Sequence, residues 1–80
     1  MTLQEVIATT KVFLEEEFEV DPSDIIPENN MHRTLDLDSL DYVDLVVVIE
    51  ENFGVKLTSE DFKRIQTFQQ FFDFILKAKS

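Results

Sequence analysis

The chain contains no cysteine, which removes disulfide frameworks and thiolate metal sites. One glycine and two prolines are too few turn-makers for a many-stranded β-sandwich. The lone Gly54 also rules out a glycine-rich phosphate cradle. His32 is the sole histidine, so a two-histidine metal site is excluded and a serine triad has no placed base. It falls in a predicted loop, where a single imidazole is expected to be solvated. No apolar run approaches membrane-spanning length, and Met1 leads into a polar segment rather than a basic signal start; a cytoplasmic address is the expectation. Cations are scarce as well: 7 Lys and Arg face 17 Asp and Glu, a formal charge of −10. Nucleic acid is thereby excluded as a partner, because its phosphate backbone demands basic side chains.

What is present suffices for one small folded unit. Eighty residues with a 44% hydrophobic share predict a single domain over residues 1–80, near the lower size at which one core is stable unaided. Four segments open with capping-box spacing: Thr2 with Glu5, Asp38 with Asp41, Thr58 with Asp61, and Thr67 with Gln70. In the first, Leu3, Val6, Thr10, Phe13, Leu14 and Phe18 recur every three or four residues, which predicts a helix over 3–18 with one buried stripe. Residues 59–65 allow a short helix with Phe62 and Ile65 inward. The last segment repeats the pattern through Phe68, Phe71, Phe72 and Ile75 to a Lys77/Lys79 end that suits a helix C-terminus, with Phe74 and Leu76 off the stripe.

The second segment carries a conflict. Leu45–Ile49 is rich in β-branched residues and in isolation reads as a buried strand. The run from Asp38 to Phe53 is too long for a typical strand. Leu45, Ile49 and Phe53 fall at four-residue spacing, and Gly54 stands where a left-handed residue ends a helix. Helix prevails. Residues 19–37 form a long connection that Pro22 and Pro27 keep from becoming one helix. A short turn near Ser23–Ile26 is expected, with Ile25, Ile26, Met31, Leu35 and Leu37 pinning the connection to the core. The fold class is therefore all-α: a four-helix bundle with three longer helices, one short helix and a long first loop.

Function concentrates at Ser39. With Asp38 as N-cap, its hydroxyl lies on the first helical turn, facing outward at the positive end of the helix dipole. A phosphate ester there would meet unpaired backbone N–H groups. No base or oxyanion donor adjoins it, so Ser39 reads as an attachment point, and no catalytic residue is expected. Between Arg33 and Lys56 there is no basic residue, while Asp36, Asp38, Asp41, Asp44, Glu50 and Glu51 crowd the interval. Acids gathered around one site favour a docking surface for basic partners over mere solubility. Leu40, Val43, Val47 and Val48 cannot all share the buried stripe of this helix, so an apolar strip rimmed by carboxylates should face solvent. A calcium loop starting at Asp36 would need glycine sixth and a bidentate acid twelfth; Asp41 and Val47 hold those places, so no dedicated metal site is expected.

Asp38-Ser39-Leu40, the following Asp41-Tyr42-Val43-Asp44-Leu45-Val46, and Ile49-Glu50-Glu51-Asn52-Phe53-Gly54 resemble the modification motif and recognition helix of the acyl carrier protein family. The likeness runs through Leu57, Ile65 and Phe68 and covers essentially the whole chain. It implies that Ser39 carries 4′-phosphopantetheine, installed from coenzyme A by a phosphopantetheinyl transferase. Acyl intermediates of fatty-acid or specialised, polyketide-like lipid synthesis would ride on its thiol as thioesters. Asp38, Leu40, Asp41, Val43, Asp44, Val47, Glu50 and Glu51 match positions that face acyl-transfer and condensing enzymes with basic docking patches, and a monomer is expected. The chain departs from the family pattern at Asp36, where glycine is usual, and at Met31, Val47 and Val48. Phe62 and Phe71 stand at pocket positions that are commonly small, which implies a shallow pocket. Rival readings are a D-alanyl or aminoacyl carrier, and an acidic interaction module that has lost its cargo; retention of Ser39 argues against the latter.

Overall fold

The computed structural model describes residues 1–79. Among them are five α-helices: α1 (Leu3–Phe18), α2 (Met31–Leu35), α3 (Ser39–Phe53), α4 (Ser59–Arg64) and α5 (Phe68–Lys79). The all-α architecture matches expectation, with α1, α3 and α5 the three longer helices and α4 the short one. The expected domain of residues 1–80 extends one residue beyond those described.

The caps explain where helices begin. Thr2 and Glu5 exchange both bonds of a capping box, at 3.2 and 3.0 Å. Thr58 and Asp61 do the same, and the Gln70 side chain returns to the Thr67 amide at 3.1 Å. The box expected at Asp38 and Asp41 is half made. Asp38 Oδ1 accepts the Asp41 amide at 2.9 Å, and the described residues show no return bond. Closing that box would bring two carboxylates together, a repulsion that the Thr-headed boxes avoid. At the other end of α3, Gly54 takes φ 69° and its N–H reaches the Glu50 carbonyl at 2.8 Å. A Cβ there would meet only the Lys79 ammonium at 3.9 Å, so glycine is required by the backbone angle rather than by space.

Each long helix buries the expected stripe. Val6, Thr10, Phe13 and Leu14 of α1, Leu45, Ile49 and Phe53 of α3, and Phe68, Phe71, Phe72 and Ile75 of α5 form the core. Phe13 and Phe53 meet edge to face at 5.9 Å, joining α1 to α3. Thr10 survives in this core because its hydroxyl donates to the Val6 carbonyl at 2.7 Å, one turn back. Leu3 and Ile26 are exposed rather than buried, while Phe18 and Leu37 are half-buried against the core. Leu3 lies at the first turn, and Ile26 faces outward beside the buried Ile25.

The long connection differs most from expectation. A 3₁₀ turn at Pro22–Asp24, capped by Asp21, stands one residue earlier than the turn expected near Ser23–Ile26. The unexpected α2 follows, seated by the buried Met31 and Leu35 and capped by Asn30. Backbone bonds then fasten the connection to the α4–α5 turn: Met31 N–H to the Gln66 carbonyl at 2.8 Å, Phe68 N–H to Asn29 at 3.2 Å, and Gln69 N–H to Pro27 at 3.0 Å. A segment that reads as a structureless loop is thus a docked layer with its backbone groups paired.

Candidate functional site

Ser39 is the first residue of α3 and is exposed, as the sequence requires. The Asp41 amide is taken by Asp38 Oδ1 and the Tyr42 amide by the Asp38 carbonyl. The amides of Ser39 and Leu40 are left without an intrahelical acceptor. The hydroxyl therefore stands at an anion-tolerant helix end with its immediate surroundings open. These features fit a phosphodiester on Ser39 Oγ: the hydroxyl is accessible, and two N–H groups remain for its oxygens.

A groove of about 370 Å³ opens beside Ser39. Ser39, Tyr42, Val43 and Val46 contribute from α3. His32 of α2 and Ser59, Phe62 and Lys63 of α4 complete it. Its volume is at the small end of the range for ligand sites. Phe62 lines the groove, whereas Phe71 does not: it is fully buried and packs edge to face on Phe72 at 6.0 Å. Of the two rings expected to restrict a pocket, the structure therefore brings only Phe62 to this groove. Phe71 belongs to the core.

The acidic residues stand where the sequence places them. Asp38, Asp44, Glu50 and Glu51 are exposed, and Asp41 is half-buried. Leu40, Val43 and Val47 are 76%, 62% and 49% exposed, forming an apolar strip among carboxylates, while Val48 is partly covered by the core. Among the described residues no cluster of three or more acidic or histidine side chains is arranged to hold a metal ion. None of their helices is long and apolar enough to cross a membrane.

His32 corrects the sequence reading. It is a half-buried residue of α2 rather than a solvated loop side chain. Its Nε2 lies 2.8 Å from the Ile65 carbonyl and 3.1 Å from that of Phe62, and its Nδ1 lies 2.7 Å from the Tyr42 hydroxyl. Carbonyl oxygens only accept, so Nε2 carries the hydrogen; in the neutral ring Nδ1 then accepts from Tyr42. Tyr42 also meets Phe62 edge to face at 5.8 Å. Burial, and secondly the charge of Asp36, raise the Tyr42 phenol above its ordinary value. One signal was readable in sequence, the four-residue spacing of Met31 and Leu35 around His32. The partners were not, since they lie 10 to 33 residues away.

A family model for the phosphopantetheine attachment site matches residues 11–75. An acyl carrier protein of Thermosynechococcus vestitus is 35% identical over 75 residues, covering 94% of this chain and 93% of its own length. Acyl carrier protein 2 of Ralstonia nicotianae is 36% identical over 67 residues, with 84% and 83% covered. The meromycolate extension acyl carrier protein of Mycobacterium leprae is 35% identical over 79 residues, with 99% and 69% covered.

Proposed function

Because the chain belongs to the acyl carrier protein family, we propose that Ser39 is its point of attachment for 4′-phosphopantetheine. The protein is a carrier of acyl groups in fatty-acid or specialised lipid synthesis, and 4′-phosphopantetheine is its covalent prosthetic group. That group supplies a terminal thiol on which acyl chains travel as thioesters. The chain's own contribution is to present one hydroxyl. The observation that carries the assignment is Ser39 exposed at the first position of α3, capped by Asp38 and opening onto an apolar-walled groove.

Around it, Asp38, Leu40, Asp41, Val43, Asp44, Val47, Glu50 and Glu51 form the surface for a phosphopantetheinyl transferase and for acyl-transfer and condensing enzymes. Their exposed carboxylates suit partners with basic patches, and the apolar strip gives the contact its desolvated centre. Residues 1–80 act as one carrier domain, monomeric and cytoplasmic, delivering groups rather than catalysing their transformation. The named relatives are acyl carriers, which supports an acyl rather than an aminoacyl cargo.

Incubation of the unmodified protein with coenzyme A and a transferase of broad specificity tests the assignment by intact mass. One pantetheinyl group is expected on the wild type and none on Ser39→Ala. Modification of the alanine variant would overturn it.

A further inference from the structure

The groove beside Ser39 is walled by five residues with polar groups and three without, yet almost no polar atom faces it. For His32 and Tyr42, which line it between α2 and α3, their hydrogen bonds explain this. Tyr42 spends its hydroxyl proton on His32 Nδ1, and His32 spends its own on the carbonyls of Phe62 and Ile65. Each buried polar atom is satisfied by another, so the wall presents carbon. The same bonds fix positions. His32 holds Tyr42 through the side chain and Phe62 through the backbone, and those two rings meet edge to face at 5.8 Å. It reaches from α2 to both helices that border the groove, seizing α4 by carbonyls at its C-terminal end, where the helix leaves them without partners.

We propose that His32 and Tyr42 form a latch that sets the depth of this groove, making His32 a specificity-determining, positioning residue for the cargo. With the latch closed, Tyr42 and Phe62 form a fixed inner wall, and the groove accepts only a short apolar segment of an acyl chain. With it released, α4 moves relative to α3 and the groove admits a longer one. The proposal rests on Ser39 as the attachment point only in so far as the cargo is delivered there; the latch itself is a property of the unmodified protein.

Two measurements test it. In the first, protein carrying butanoyl, octanoyl or dodecanoyl groups is melted and compared with the unacylated form. The wild type is expected to gain stability with butanoyl and nothing further with longer chains. Tyr42→Phe removes one hydroxyl while keeping the ring, and its gain should continue to octanoyl. Loss of one neutral hydrogen bond shifts the open-to-closed ratio roughly fivefold. His32→Asn keeps a donor and acceptor near the Nδ1 position but abandons the α4 carbonyls; it should extend the gain as Tyr42→Phe does, and the double variant should add little because both break one device. A purely structural role would lower every melting temperature by the same amount and leave the length profile unchanged. That outcome overturns the proposal, as does a steady climb with chain length in the wild type.

The second measurement needs no loading and so separates this proposal from the assignment of Ser39. Anilinonaphthalene sulfonate fluoresces on the apolar surface it can reach, and opening the latch would enlarge that surface. Its fluorescence with unmodified Tyr42→Phe should exceed that with the wild type several-fold, and equal fluorescence overturns the latch whatever Ser39 carries.

Discussion

Replacing Asp36 with glycine is expected to stabilise the protein. Asp36 ends α2 in the left-handed region, at φ 46° and ψ 48°. Its N–H bonds the His32 carbonyl at 3.0 Å, so the conformation is the one that terminates the helix. A left-handed residue with a Cβ costs about 1–2 kcal/mol, with aspartate at the low end because its short side chain bonds locally. Glycine removes that cost but widens the unfolded ensemble, which returns about 0.4–1 kcal/mol. With aspartate near 1 kcal/mol, the net gain is up to about 0.6 kcal/mol, a rise in Tm of up to about 5 °C for a domain of this size. Urea unfolding should show a higher midpoint with an unchanged slope. The charge must be separated from the backbone, since Asp36 lies close in sequence to Asp38 and Asp41. Asp36→Asn removes the charge and keeps the Cβ, so it reads the electrostatic part alone. If glycine is no more stable than asparagine, the left-handed strain is not the cause and the reasoning fails. The same substitution should bring the Tyr42 phenol nearer its ordinary value, because it removes the second of the two causes that raise it.

Tyr42 is the only tyrosine, so phenolate absorbance reports it alone. Burial first and Asp36 second raise its pKa above 10.0; the neutral phenol is favoured by folding. Its contribution to stability is complete below the unfolded value and is lost as pH climbs through the folded one, and a midpoint at the ordinary value in folded protein would contradict this. Phe71→Ala should cost about 3–5 kcal/mol, because the ring is fully buried, yet leave the groove unchanged. Phe62→Ala should do the reverse, deepening the groove at smaller cost; acyl-dependent melting and urea unfolding of both variants decide it. Asp44→Lys and Glu51→Lys should slow acyl transfer by a cognate enzyme while circular dichroism stays unchanged. The effect should fade as salt passes about 0.1 M, where exposed charges more than about 10 Å apart are screened; rates indifferent to both substitutions would restrict these acids to solubility.

The helices that were legible share one property: their signals are local. Capping pairs three residues apart and stripes at three- and four-residue spacing marked α1, α4 and α5. In α3 the same signals outweighed the β-branched run, because Leu45, Ile49 and Phe53 required a helical period. The exposed place of Ser39 at the start of α3 was legible for the same reason, its cap and its acidic neighbours all lying within a few residues. What escaped depends on distant partners. Five residues cannot display a period, and α2 is held by Met31 and Leu35 in the core and by the bond from the Met31 amide to the Gln66 carbonyl. His32 escaped because two of its three acceptor or donor partners are backbone carbonyls some 30 residues on, and a carbonyl has no sequence identity. The exposed Ile26 shows the limit from the other side: composition marks a residue as apolar, while the path of the chain decides which of two adjacent isoleucines turns inward.

Helix α3 also works as a ruler. Its inner face is locked into the core by Leu45, Ile49 and Phe53, so the rod cannot rotate about its own axis without breaking that seam. Ser39 and Glu51 are twelve steps apart along it, and at 1.5 Å per step they are separated by about 18 Å. On the proposed docking surface, an enzyme that grips the far end of the rod would therefore meet the serine at a known distance and on a known bearing. Address and doorway would then be cut into one stiff bar, and a partner that reads the first would already be pointed at the second.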